Sequence, residues 1–282
     1  MSSRPRLVAT DLDGTLIRSD GSLSGYTRAV LAALDDRDVP VLFVTARPLR
    51  WMAELWPLVG GHGMAIVSNG AIWYDVAGDR VRQLWGIDAE VGIVLTNAIA
   101  DRIPDATFAL ETETGIRYDP RFVDTWEPVE DAPRDDLSVI WTDPVVKLLV
   151  TAPDADPDRL REATVAAVGD RAVVTWTGPG LLEISAVGIT KAATLALVCD
   201  ELDIDRADVV AFGDMPNDVP MIRWAGTGYA MANADPALLE VADAVAGSND
   251  DDGVARVLAS TFDLEVDGSA QPRLECVDPG HR

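Results

Sequence analysis

The run Asp11-Leu12-Asp13-Gly14-Thr15-Leu16 places two carboxylates two residues apart, directly after the apolar stretch Leu7-Val8-Ala9. On a continuing strand, side chains two apart share a face, so both carboxylates would project the same way and Gly14 would let the backbone turn off. Like charges that close need a cation, a shared proton or ample water. Three further clusters could complete such a site. Thr45 ends the apolar run Val41-Leu42-Phe43-Val44 just ahead of Pro48, and a hydroxyl at a helix N-terminus suits an anion such as phosphate. Lys191 follows Thr190, a candidate helix cap; a lysine in a first helical turn opposes the helix dipole, so its presence asks for another reason. Gly213-Asp214-Met215-Pro216-Asn217-Asp218 ends a further apolar run, Val209-Val210-Ala211-Phe212. Oxygen ligands for a hard cation, with a lysine and a hydroxyl to meet developing charge, are what phosphoryl transfer assisted by Mg²⁺ requires. Taken singly, each cluster also reads as a turn, a cap or a solvated charge. Taken together, all fall at strand ends or helix starts, and open α/β sheets bind ligands beyond the carboxyl ends of their strands.

The elements that must position these residues follow from periodicity and punctuation. Leu7 to Thr10 predicts a strand, and Ser24 caps a helix to about Asp35 with Val30, Leu31 and Leu34 as its stripe. Val41 to Val44 predicts a second, doubly covered strand. A helix opened by Pro48 should follow, with Trp51, Met52, Leu55 and Trp56 as its apolar face. Met64 to Val67 is a third strand, ending at Ser68-Asn69-Gly70. The pattern then changes: a hairpin over 72–85, a helix over about 88–103, a strand over 106–110, loops rich in Pro and acid over 119–144, a strand over 145–151, a helix over 158–168 and a closing hairpin over 172–185. From Thr190 the alternation resumes, with a helix to about Leu202, strands at 209–212, 228–231 and 244–245, and helices at 219–224, 236–241 and 253–258. The expected class is α/β: a Rossmann-like parallel sheet with helices on both faces, interrupted by an inserted α+β unit. The expected boundaries are 1–84 and 188–264 for the first, 85–187 for the insert, and a polar, disordered tail at 265–282 whose removal should be harmless.

Composition narrows the partners. A formal charge of −24, from 23 basic and 47 acidic residues, argues against nucleic acid or an anionic membrane surface. It also works against an anionic substrate unless local cations or a metal reverse the field. Two cysteines, Cys199 in an apolar helical pattern and Cys276 in the polar tail, do not suggest a disulfide framework and fit a reducing compartment. With no signal-like leader after Met1 and no apolar run of spanning length, the expectation is a cytoplasmic protein.

The four clusters, in this order, resemble the motifs of the haloacid dehalogenase superfamily, and within it the Cof-type phosphatases of subfamily IIB. Asp11-Leu12-Asp13-Gly14-Thr15 matches the first motif, Thr45 the second, Lys191 the third, and Gly213-Asp214 with Asn217-Asp218 the fourth. Ser68-Asn69-Gly70-Ala71, the stretch from Gly228 to Ala234, and Ser248-Asn249-Asp250 through Gly253-Val254 are similar to further turns of that group. The resemblance implies that the insert is an α/β cap of the C2B type. It implies that Asp11 is a nucleophile forming an aspartyl phosphate, and that Asp13 is the general acid–base. Mg²⁺ would be held by Asp11, Asp214 and the backbone carbonyl of Asp13, with Asp218 supporting that shell. Thr45, Ala46, Lys191 and Asn217 would hold the phosphoryl oxygens. The activity implied is hydrolysis of a small phosphorylated metabolite, a sugar phosphate or a phosphorylated cofactor or precursor. A phosphomutase using the same aspartyl phosphate is the nearest rival, and a non-catalytic Mg²⁺ or phospho-ligand binding protein the distant one. In the cap, Arg117, Tyr118 and Trp126 sit near a candidate loop and could touch a leaving group.

Overall fold

The structure, a computed structural model, describes residues 4–178 and 180–266. The expected tail beyond 266, with Cys276, lies outside the described residues. Two sheets account for the strands. The first has eight strands: β1 (Leu7–Thr10), β2 (Val41–Val44), β3 (Met64–Val67), β4 (Ile72–Asp75), β5 (Arg80–Leu84), β11 (Val209–Gly213), β12 (Thr227–Ala230) and β13 (Ala244–Val245). Their order is β13-β12-β11-β1-β2-β3-β4-β5. The six from β13 to β3 are parallel, and β4 and β5 add an antiparallel hairpin at one edge. Every residue of β1, β2, β3 and β11 is buried, as continuous apolar strands covered on both faces should be. The covering helices include α1 (Gly25–Asp35), capped by the Ser24 hydroxyl on the Thr27 N–H, and α5 (Lys191–Glu201), capped by Thr190 on the Ala193 N–H. The shorter α6 (Val219–Trp224), α7 (Pro236–Leu239) and α8 (Gly253–Thr261) follow the last strands, and the expected positions of all of these hold within a few residues.

The inserted sheet has five antiparallel strands: β6 (Thr107–Thr112), β7 (Gly115–Tyr118), β8 (Lys147–Thr151), β9 (Ala172–Gly178) and β10 (Leu181–Ala186), in the order β7-β6-β8-β10-β9. Alternation sorts its residues. Phe108, Leu110, Leu148, Val150, Leu182 and Ile184 point to one face, where they pack with Leu95 and Ile99 of α2 (Ala89–Ala100) and Leu160 of α4 (Pro157–Val168). The intervening residues Glu111, Lys147, Leu149, Leu181 and Glu183 point to the other face and line a cavity above the carboxyl ends of the parallel strands. Glu111 stands opposite Lys147 in the β6–β8 ladder, so the register gathers charge at one corner of that face.

Two expectations fail locally. No α-helix follows Pro48: the chain makes two 3₁₀ turns, Leu49–Trp51 and Trp56–Leu58, around a fully buried Met52. Successive bonds to the third residue back, Met52 N–H to Leu49 O and Leu55 N–H to Met52 O, replace the α ladder. Arg50, within the first turn, is tied to Glu111 of the inserted sheet. The sequence reading also missed β7, a four-residue edge strand whose hairpin with β6 turns through Gly115 at φ 137°. Within the stretch expected to be loop lies one short helix, α3 (Leu137–Ile140).

Candidate active site

The strand β1 ends one residue before Asp11, although the Asp11 N–H still reaches Phe212 O at 3.0 Å. The alternation argument for Asp11 and Asp13 therefore fails: the two carboxylates do not form a pair. Asp11 is buried against Lys191, and Asp13, with its side chain 58 % exposed, is gripped by Arg47. Both still line the cavity of about 620 Å³ between the two sheets, together with Thr45, Ala46, Asp214 and Asn217.

Lys191 explains its place in a first helical turn. Its ammonium, 1 % exposed, donates to Asp11 Oδ1 at 2.7 Å and to Asp218 Oδ1 at 2.6 Å. Asp218, fully buried, uses its other oxygen to accept the N–H groups of Asp214 and Met215, both at 3.1 Å, and so ties the turn after β11. Asp214 Oδ1 accepts the Thr15 hydroxyl at 3.1 Å. Gly14, at φ +75°, lets the loop lie against Asp214: a Cβ there would sit 2.2 Å from Asp214 Oδ2.

One carboxylate oxygen from each of Asp11, Asp214 and Asp218 lies within 4.8 Å of the others. Burial, then repulsion from Asp218 and Asp214, pushes Asp11 well above the usual carboxylate range, with Lys191 opposing. Burial, then Asp218, raises Asp214 from 3.8 to about 7. Burial works against the Lys191 ammonium, but Asp11 and Asp218 outweigh it and hold that group above its ordinary value. Both oxygens of Asp218 are spoken for. Among the described residues, nothing donates to Asp11 Oδ2 or Asp214 Oδ2. Hard oxygen donors, closely spaced, buried and short of positive charge, fit a divalent cation.

The phosphate-side residues also come together. Thr45 is fully buried in the loop after β2, where its hydroxyl accepts the Arg47 N–H at 3.0 Å; it is not at a helix N-terminus. Asn217 donates through Nδ2 to Asn69 Oδ1 at 3.0 Å, and its own Oδ1 is buried with no partner among the described residues. Asn69 donates to Glu183 Oε2 at 2.7 Å, and Glu183 Oε1 accepts from Lys147, which also donates to Ala46 O at 2.6 Å.

Several lining residues escaped the sequence reading. Arg47 clasps Asp13 through two bonds, Nε to Oδ2 at 2.7 Å and a terminal nitrogen to Oδ1 at 2.6 Å. Arg50 bridges Glu111 and Glu127. Glu111, Lys147 and Glu183 belong to no motif of the sequence reading, which ends one strand just before Glu111 and takes Lys147 and Glu183 as strand residues. Their signal was available: each is a charged residue inside an apolar strand, and Lys147 and Lys191 are the only lysines beside 21 arginines. Lysine's compact ammonium suits a buried slot between carboxylates. Of the three cap candidates, Trp126 lines the cavity. Arg117 instead bonds Ile140 O, Thr142 and Asp143, and Tyr118 is buried with its hydroxyl on Asp124.

Comparison with known proteins gives the family. The profile of the haloacid dehalogenase-like hydrolases matches residues 8–258. The chain is 29% identical over 281 residues to 5-amino-6-(5-phospho-D-ribitylamino)uracil phosphatase YitU of Bacillus subtilis (strain 168), covering 94% of this chain and all of that one. It is 32% identical to the HMP-PP phosphatase of Enterobacter sp. (strain 638), over 83% of this chain and 86% of the relative. It is also 32% identical to a phosphoglycolate phosphatase of Halorubrum lacusprofundi, over 89% and 95%. A phosphatase of the haloalkanoate enzyme superfamily from Bacteroides thetaiotaomicron shares the fold, with a TM-score of 0.80 at 24% identity over 93% of this chain and 96% of that one. With the profile spanning nearly the whole described chain, the protein belongs to the haloacid dehalogenase-like hydrolase family.

Proposed function

We propose that this protein is a Mg²⁺-dependent phosphomonoesterase that hydrolyses a small phosphorylated metabolite through an aspartyl phosphate on Asp11. The observation that carries the reading is the buried cluster of Asp11, Lys191, Asp218 and Asp214 on the floor of the cavity. Asp11 and Asp214, with the Asp13 backbone carbonyl, would hold the Mg²⁺, which when bound supplies positive charge toward the phosphoryl group. Asp218 orients that set by fixing Lys191 and the Asp214 N–H.

The residues divide the reaction as follows. Asp11 attacks phosphorus while the ester oxygen departs, and Asp13 protonates that oxygen. Water then attacks the acyl phosphate, giving a proton to Asp13 and returning Asp11 as a carboxylate. Lys191, Thr45, the Ala46 backbone and Asn217 hold the phosphoryl oxygens throughout. Since Arg47 occupies both Asp13 oxygens, it must release them for proton transfer, and the incoming phosphoryl dianion is the competing partner.

The upper wall of the cavity supports a leaving group without a second anion. There Arg50 and Lys147 are already matched by Glu111 and Glu183, and Asp124 adds negative charge. Trp51 and Trp126 offer flat apolar faces. An ester with an uncharged leaving group, as in the 5-amino-6-(5-phospho-D-ribitylamino)uracil named for the Bacillus subtilis relative, fits that wall better than phosphoglycolate, whose leaving group carries a carboxylate. The test is phosphate release over a panel of phosphorylated metabolites, with Mg²⁺ and with chelator. Release from esters with uncharged leaving groups, lost on chelation, is expected; conversion to an isomeric ester without phosphate release would make the protein a mutase.

The same reading divides the chain at 84/85 and 187/188. The apolar cluster around the first sheet takes in Leu84 and Ile189 and also Trp85, one residue inside the insert, and that of the inserted sheet takes in Ile87 and Ala186. No helix of the described residues is long and apolar enough to cross a membrane. Buried free Cys199 agrees with a reducing, cytoplasmic setting, which fractionation would check.

A further inference from the structure

The amide of Asn217 can face a phosphoryl oxygen either way round, and only one way helps. Presented through Nδ2 it donates; presented through Oδ1 it repels. Its Oδ1 is sealed without a partner, and one Nδ2 hydrogen is committed to Asn69 Oδ1. The second Nδ2 hydrogen is what this side chain has left for the cavity that it lines.

That orientation is not set by Asn217 itself. An amide cannot be told from its flipped form by shape, so its neighbours decide. Asn69 must present Oδ1 to Asn217, which it does because its own Nδ2 is drawn to Glu183 Oε2 at 2.7 Å, with a longer bond to Thr175 at 3.3 Å. A carboxylate paired with an ammonium has only acceptors to offer, so Asn69 cannot flip without losing that bond. Lys147, bonded to Glu183 Oε1 at 2.7 Å, fixes the carboxylate and also reaches Ala46 O in the loop that carries Thr45. All four side chains are buried. The turn that carries Asn69 holds Ser68 and Asn69 both in the left-handed region, at φ 52° and 57°, clasped to that loop by the Ser68 N–H on Arg47 O and the Asn69 N–H on Thr45 O.

We infer that Glu183 is a positioning residue: acting through Asn69, this carboxylate of the inserted sheet sets the donor orientation of Asn217 toward the phosphoryl group. The inference rests on the proposed role of Asn217. It gives the inserted sheet a part in phosphoryl binding besides contact with a leaving group. The chain of donors is directional: Asn217 gives to Asn69, Asn69 to Glu183, and Lys147 holds the far end. In Glu183→Gln the ammonium would claim the new Oε1, turning an amide nitrogen toward Asn69. Asn69 and then Asn217 would flip, and Oδ1 would face the phosphoryl site.

The test is calorimetric titration of inorganic phosphate, which has no leaving group, in Mg²⁺. Four proteins are compared: wild type, Glu183→Gln, Asn217→Ala and the double variant. Loss of one hydrogen bond to a charged group corresponds to a weakening of about ten- to a hundredfold, expected for each single variant. The double variant should bind no more weakly than Asn217→Ala when the effect of Glu183 runs through Asn69 and not through Lys147 and the Ala46 carbonyl. Wild-type affinity in Glu183→Gln, or a loss that adds in full to that of Asn217→Ala, overturns the inference. Wild-type affinity in Asn217→Ala would instead overturn the assignment of Asn217 on which the inference stands. To separate positioning from simple stability, Glu183→Gln is joined to Lys147→Met. Without the ammonium, Gln Oε1 is released to accept from Asn69, so phosphate affinity should recover most of its loss. A double variant that melts like the wild type yet binds phosphate as poorly as Glu183→Gln also overturns the relay.

Discussion

Replacing Asp214 by Asn should stabilise the metal-free protein while ruining its response to Mg²⁺. Asp214 titrates at about 7, against 3.8 for an ordinary Asp, because burial and then Asp218 oppose its charge. At about 1.4 kcal/mol per pH unit, holding it ionised above pH 7 costs the fold about 4 kcal/mol. The native state binds the extra proton between the two values, so stability is lost as pH rises from about 4 to about 7 and is level beyond. Asn removes that cost and keeps an oxygen for the Thr15 hydroxyl. At pH 8 in chelator the variant should therefore gain about 2–4 kcal/mol, or about 5–10 °C in Tm. At pH 5 the gain should shrink to about 1–2 kcal/mol, since most of the wild-type penalty has not yet developed. Thermal unfolding followed by circular dichroism at the two pH values measures both. Adding Mg²⁺ at pH 8 should raise the wild-type Tm and leave the variant nearly unmoved. A variant less stable than the wild type in chelator at pH 8 would refute the reasoning, because Asp214 would then have a favourable partner that the geometry does not show.

Lys191→Met removes the one ammonium between Asp11 and Asp218; it should abolish turnover and, as for other broken buried pairs, destabilise by about 3–5 kcal/mol at pH 8, read from the urea midpoint. Gly14→Ala puts a methyl 2.2 Å from Asp214 Oδ2 at a φ of +75°, so the half-saturating Mg²⁺ concentration should rise about tenfold or more while Tm in chelator falls; an unchanged Mg²⁺ titration would detach Asp214 from the metal. Adding a carboxylate to the leaving group of an accepted ester should lower kcat/KM about tenfold or more, with the loss smaller in Glu111→Gln, because the upper wall holds more acid than base; equal rates for the two esters would remove charge from the selection.

The parallel sheet and the floor of the site were legible because they are local. Apolar runs ending in Asp11, Thr45 and Asp214 state both a buried strand and what stands at its end. Lys191 was legible for the opposite reason: it broke the helix-dipole rule, and two carboxylates at 2.6–2.7 Å supply the compensation. The upper wall was not. Glu111, Lys147 and Glu183 become neighbours only through the β6–β8–β10 register, a property of pairing rather than of any one strand. Arg47 fixes Asp13 from the loop just ahead of the helix expected at Pro48, and the expected pairing of Asp11 with Asp13 fails because β1 ends at Thr10 and does not continue to Asp13. Sequence alternation presumes that a strand continues; here the chain leaves the strand after Thr10, and the two carboxylates meet different cations.

The account stands or falls on Asp11 as the atom that takes the phosphoryl group. The direct measurement is rapid acid quench of Asp13→Asn with an aryl phosphate, followed by peptide mapping of the protein. An aryl leaving group departs without a proton, so the first step should persist while the loss of proton transfer, worth about 10²–10⁴-fold, slows the second. A burst of phenol should then appear together with a phosphoryl group on Asp11, and Asp11→Asn should show neither. A phosphoryl group carried elsewhere, or turnover by Asp11→Asn at the wild-type rate, would contradict the central claim.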